Sequence, residues 1–196
     1  MQLSSNTTAP TLRTQDVFGT PFDLLAAAKS GQKILLSFFR SAGCPVCNTR
    51  VAQLMGNALR WNEQGLIIVA VYESTRENML EYVQDSTGRR RFPFTIIADP
   101  ERKHYQTFHI ETSFAKMMGG FMKGSVVAMA MKGSDFSQSH SKPKQDGTMT
   151  RIGADFLIDE RGIIQTAHYG AFLGDHLATD AVSRFAAQSS SIRASA

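Results

Sequence analysis

Cysteine is almost missing from this chain: its 196 residues contain two, Cys44 and Cys47. Two thiols are too few for a disulfide-stapled secreted fold, and no histidine pair follows them within the roughly 12–15 residues at which a zinc finger completes its tetrahedral metal site. Long apolar runs are missing as well, with none near the ~18 residues of a membrane span. The first residues, Met1-Gln2-Leu3-Ser4-Ser5-Asn6, have neither the basic start nor the apolar core of a secretory signal. The cytoplasm, where thiols stay reduced, is the expected compartment, with no membrane partner. A long basic run is also lacking. The net charge of +4 comes from small clusters such as Arg89-Arg90-Arg91 and Arg102-Lys103. Without aromatic interleaving these read as a solvated face, and no nucleic-acid partner is expected. No internal repeat is present.

What remains is the composition of one globular domain. The apolar fraction, 42%, suffices for a core without covalent staples. Against that background the two cysteines stand together, as Gly43-Cys44-Pro45-Val46-Cys47. An apolar stretch, Ile34-Leu35-Leu36-Ser37-Phe38-Phe39, precedes them and a helical pattern follows. Cys-x-x-Cys where a buried strand meets a helix lets two thiols interconvert with a disulfide. The helix N-terminus favours thiolate there. Inert packing thiols or half a metal site are the competing readings.

Along the chain, 16–22 reads as a hairpin around Gly19, and Asp23 caps a helix to Ala28. Residues 33–40 form a strand covered on both faces, as in a parallel sheet. Cys44 caps the next helix with Pro45 at its first position, and Val51, Leu54, Met55, Ala58 and Leu59 mark its apolar face. A strand over 66–71, a helix over 75–83, a strand over 94–98 and a short helix over 100–108 follow. Strands over 156–158 and 163–168 pair around Glu160–Gly162, and a last helix spans 179–187, burying Val182 and Phe185. The fold class is α/β, a central mixed β-sheet with helices on both faces. Residues 1–10 and 189–196 are small and polar and read as loose ends. An insertion at about 113–152 reads as helix followed by loop. Its Met117, Met118, Met122, Met129 and Met131 could alternatively make an adaptable apolar surface.

Three segments in this order resemble a known family: Phe38-Phe39-Arg40-Ser41-Ala42-Gly43-Cys44-Pro45-Val46-Cys47, the run Phe92-Pro93-Phe94-Thr95-Ile96-Ile97-Ala98-Asp99-Pro100-Glu101-Arg102, and Phe156-Leu157-Ile158-Asp159-Glu160-Arg161-Gly162-Ile163-Ile164. Together they are similar to the alkyl hydroperoxide reductase / thiol-specific antioxidant (AhpC/TSA) family and its peroxiredoxin-like branch. The resemblance implies a single thioredoxin-like domain over 1–196. The family pattern Pro-x-x-x-Thr/Ser-x-x-Cys ends on Cys47, with Cys44 at the Thr/Ser place and Arg40 at the Pro place. The arginine that polarises peroxide in the family falls on Gly153, and Arg151 lies two residues earlier. No proline precedes the Phe156 strand, where thioredoxins carry a cis-proline.

The resemblance implies thiol chemistry with catalytic Cys47, Cys44, Arg40 and Arg151. A thiolate attacks a peroxide oxygen or a disulfide sulfur, the second thiol closes a disulfide, and a thioredoxin-like donor or glutathione re-reduces it. No cofactor or metal is required, and a homodimer is left open. Alignment with the family makes Cys47 the attacking sulfur, whereas helix physics favours Cys44, the more exposed position by that reading. Three functions compete: peroxide reduction, disulfide exchange of the thioredoxin kind, and a non-catalytic redox-sensing or binding module docking through its methionines.

Overall fold

The continuous apolar run after Gln32 can be buried only if it is covered on both faces, and this sets the architecture. In the computed structural model, which describes residues 1–122, 125–138 and 144–189, that run is strand β3 (Lys33–Phe38), and all six of its residues are buried. Before it come the two-stranded hairpin β1 (Arg13–Gln15) and β2 (Pro21–Asp23), then helix α1 (Leu24–Lys29). Asp23 caps α1 by accepting from the Ala26 amide at 3.0 Å. After it come α2 (Pro45–Glu63), β4 (Leu66–Tyr72), α3 (Arg76–Val83), β5 (Thr95–Ala98) and α4 (Lys103–Thr107). Helices α5 (Phe114–Met122) and α6 (Ser125–Gln138) then intervene before β6 (Ala154–Ile158), β7 (Ile164–Tyr169) and α7 (Thr179–Ala187).

The main sheet has the order β5-β4-β3-β6-β7. β3 runs parallel to β4 and β4 to β5, while β6 is antiparallel to both β3 and β7. Side chains alternate across β3, so each face receives its own core. Leu35 joins Val51, Leu54 and Trp61 of α2 and Val182 and Phe185 of α7. Ile34, Leu36 and Phe38 join Leu24 of α1, Val69, Tyr105 of α4 and Phe156. Phe38 contacts the Tyr105 and Phe108 rings at 5.1 and 5.2 Å between centroids.

Two sequence expectations change. The apolar spacing puts Leu59 on the inner face of α2, but Leu59 is exposed and Trp61 is fully buried instead. Val51, Leu54, Ala58 and Trp61 follow the 3.6-residue period, which Leu59 misses by about 100°. The N-terminal residues are not loose. Asn6 N–H donates to Ile164 O at 2.7 Å, Ile164 N–H to Thr7 O at 2.9 Å and Ala9 N–H to Gly162 O at 2.9 Å. This pairing is entirely main-chain, so a small polar sequence carries no sign of it. Of the C-terminal segment, Ser189 is exposed and residues 190–196 lie outside the described residues.

Leu36 pairs with Val69 on one side and Phe156 on the other, and is fully buried. Leu36→Ala should therefore lower unfolding free energy by about 2–5 kcal/mol in urea denaturation. A loss below about 0.5 kcal/mol would mean that the central strand is not core.

Candidate active site

β3 ends at Phe38, and the chain then passes through buried Arg40, Ser41 and Ala42 to reach α2. Its turn is fixed by two main-chain donors: Ala42 N–H bonds the Ser74 side-chain Oγ at 3.0 Å and Cys44 N–H bonds Ser41 O at 3.2 Å. Cys44 is the N-cap of α2, with extended φ and ψ of −81° and 110°. Its Sγ accepts from the Cys47 amide at 3.3 Å, the part a serine or aspartate oxygen usually plays. Pro45, lacking an N–H, suits the first helical position.

Both cysteines are free thiols and both are buried. Cys44 is fully inaccessible and Cys47 is 5% exposed, so the cap position is not the more exposed of the two. Their acidities are driven apart. A hydrogen bond from the Cys47 side chain outweighs the burial penalty at Cys44; with the Arg40 charge and the Cys47 and Val46 amides, it brings that thiol down to about 7. Burial pushes Cys47 well above the ordinary thiol range, and the Cys44 sulfur beside it adds to the rise. Cys44 is the sulfur that carries charge near neutral pH.

The burial has an identifiable source. Residues 144–151 run across the Cys44 turn like a strap. Gln145 Nε2 donates to Gly43 O at 2.9 Å, and Arg40 Nη1 donates to Met149 O at 2.9 Å. Gly147 lies so close that a Cβ there would sit 2.6 Å from Arg40 O, which excludes a side chain. The strap is anchored at the corner after β4, where Asp146 accepts from Ser74 Oγ at 2.6 Å and from the Thr75 amide at 3.0 Å. Helix α6 closes the other flank, with Thr49 Oγ1 donating to Met129 O at 2.6 Å.

The fold thus brings Cys44, Cys47 and Arg40 together, with Arg40 acting on both sulfurs. Arg151 is engaged elsewhere. It pairs with buried Glu73 at 2.5 Å, donates to Ile110 O at 2.6 Å and lies over the Tyr105 ring, 4.9 Å from its centroid. Glu73 also accepts from the Thr148 amide at 2.7 Å, so this ion pair secures the strap. Sequence reasoning passed over Glu73 and Asp146, which look like ordinary polar residues in loops. It also passed over Asp155, whose carboxylate meets His176 Nδ1 at 3.1 Å, the Leu177 amide at 2.7 Å and Arg50 at 3.4 Å. Burial would raise its pKa, but the His176 ring and Arg50 guanidinium outweigh burial and hold it below the usual carboxylate range. A lone aspartate inside the apolar run Ala154–Ile158 was the available signal.

Of the methionines in the inserted helices, Met117 and Met129 pack on the core, whereas Met118 and Met131 are exposed. Among the described residues no group of histidine, cysteine and acidic side chains could hold a metal ion, and no helix is long and apolar enough to cross a membrane.

The family model for the AhpC/TSA family matches residues 6–167. No curated protein matches the chain. Solved structures similar to it include peroxidoxin BcpB from Mycobacterium tuberculosis, 14% identical, with a TM-score of 0.63 over 95% of each chain. A candidate thiol:disulfide interchange protein DsbE from Chlorobium tepidum is 14% identical, with a TM-score of 0.55 over 86% of each chain. A candidate thioredoxin from Neisseria meningitidis is 17% identical, with a TM-score of 0.56 over 93% of this chain and 87% of its own. These likenesses establish the thioredoxin-like fold.

The acidity difference can be read directly. Thiolate ultraviolet absorbance of the reduced protein should rise with pH around a midpoint of about 7, from Cys44, with Cys47 still protonated. Cys47→Ala removes the leading donor and should move that midpoint upward; an unchanged midpoint would refute the role given to the Cys47 thiol.

Proposed function

The chain belongs to the AhpC/TSA family and is a thiol-based redox enzyme, and we propose that its Cys44–Cys47 pair reduces small hydroperoxides, with Cys44 attacking first. The observation that carries this reading is a thiol lowered to about 7 in a site closed to bulk solvent. A hydroperoxide is small and needs the least movement of the strap to reach the sulfur, whereas a protein disulfide would have to displace it altogether.

The chemistry balances in three steps. The Cys44 thiolate displaces alkoxide from ROOH; the alkoxide takes a proton and leaves as ROH, while Cys44 becomes a sulfenic acid. The Cys47 thiol, one helical turn away, then attacks that sulfur and expels water, forming the Cys44–Cys47 disulfide. Two equivalents of an external thiol, from a thioredoxin-like protein or glutathione, restore the pair. Arg40 supports the first step by favouring the Cys44 thiolate and offering donors to the departing oxygen. Arg151, committed to Glu73 and Ile110 O, enters this scheme as a residue that holds the strap. The family's threonine donor is replaced by Cys44 itself, so the pair works as a dithiol.

A second reading, disulfide exchange, is favoured by one observation. An acidic cap thiol followed by a buried high-pKa thiol also suits mixed-disulfide formation and its resolution. Stopped-flow oxidation with hydrogen peroxide, an organic hydroperoxide and a small disulfide separates the two. Peroxide reduction predicts that Cys47→Ser consumes one equivalent of peroxide and traps a sulfenic acid at Cys44. Cys44→Ser should react at least about a hundredfold more slowly, for want of thiolate. A sulfenic acid trapped at Cys47 would reverse the order of attack. Reaction with the small disulfide alone would establish exchange. If neither variant outpaces free cysteine, the non-catalytic sensing module becomes the account.

A further inference from the structure

Alongside the first turns of α2 lies a cavity of about 200 Å³ that the redox scheme does not use. Val46, Thr49, Arg50 and Gln53 of α2 form one side, Met129 of α6 another, and the start of α7 with His176 the third. Arg50 is deeply buried yet poorly satisfied. Its side chain is 4% exposed, its contacts to Asp155 and Gln53 are both 3.4 Å long, and its Nε has no partner. A guanidinium carries five donors, and an interior donor left unpaired is costly, more so when charged.

The second observation is independent of the first. Ala178 and Thr179, in the cavity wall, begin α7, and the Ala178 N-cap offers no side-chain hydrogen bond. The Ala181 amide closes onto Ala178 O at 3.0 Å, which leaves the Thr179 and Asp180 amides without a capping acceptor at the positive end of the helix dipole. Asp180, the acidic residue of that turn, is exposed and outside the wall. No carboxylate is among the described lining residues; Asp155, fully buried, is bonded to His176 and the Leu177 amide and lies 3.4 Å from Arg50, three of the residues that line the cavity. Two kinds of under-used donor thus face one small space. The cavity is below the ~300–1,000 Å³ of sites for drug-sized ligands, so it suits a head group, not a whole cofactor.

We propose that this cavity binds a small carboxylate, with Arg50 and the first-turn amides of α7 as its donors. Its place in catalysis rests on the redox reading above. Val46, which lines it, lies between the two cysteines in the chain. A carboxylate held there anchors a small acid beside the thiols, either an acidic thiol reductant or an acidic hydroperoxide.

Titration of the reduced protein with propionate, followed by amide NMR, tests the site without any turnover. Propionate should shift the Arg50, Leu177 and Thr179 amides saturably, and neutral propionamide should not. Arg50→Gln should weaken propionate binding about tenfold or more. Because that variant also deprives Asp155 of a partner, Thr179→Asp is the second probe. It places a carboxylate at the helix start, where it favours the helix, and should abolish the response in a folded protein. Equal shifts from propionate and propionamide, or undiminished propionate binding in Thr179→Asp, would overturn the proposal. For the source, reduction of the oxidised protein by 3-mercaptopropionate is compared with 2-mercaptoethanol, and its oxidation by a carboxylate-bearing hydroperoxide with tert-butyl hydroperoxide. An advantage for the acid in either pair, lost in Thr179→Asp, identifies which small acid is anchored; an advantage in neither overturns the assignment of the site to the redox cycle. Propionate binding in a protein whose thiols turn over no oxidant would overturn the redox reading and leave the carboxylate site standing.

Discussion

A thiolate removed from water must be solvated by the protein, and at Cys44 this is done by the Cys47 thiol, the Arg40 charge and the Cys47 and Val46 amides. In a low-dielectric setting such donors are stronger than they are at a surface. The same burial that would raise the pKa therefore also makes its remedy effective. The donor thiol bears the opposite consequence, for Cys47 has charge as its neighbour and no comparable set of donors. One sulfur is ionised because the other stays protonated.

Holding that arrangement requires rigid corners, and buried ions supply them. Glu73 and Arg151 join the end of β4 to the strap, while Asp155 joins β6 to α2 through Arg50 and to the α7 approach through His176 and Leu177. Such pairs contribute little net stability once desolvation is counted, but removing one partner strands a charge in the interior. Their value lies in register: Glu73 with Arg151 adds a side-chain lock to the main-chain bonds of the strap, and Asp155 holds α2 and the approach to α7 against β6.

The frame of the molecule was legible because its signals are local. Continuous apolar runs gave β3 and β4, Cys44-Pro45 gave the start of α2, and Val182 with Phe185 gave the inner face of α7. The Cys-x-x-Cys pair likewise announced thiol chemistry. The cover over the sulfurs was not legible, because it depends on contacts between residues as distant as Ser74 and Asp146, or Gly43 and Gln145. Nothing near Cys44 in the sequence says that it is buried. The N-terminal pairing with Ile164 escaped for another reason, since main-chain bonds between small polar residues and a strand edge leave no compositional trace.

Arg40 holds two ends of the site at once. Its guanidinium grips the strap through Met149 O, while its charge stabilises the Cys44 thiolate. The cover and the acidity of the site thus meet in one side chain, and a change at Arg40 loosens the strap and weakens the thiolate together.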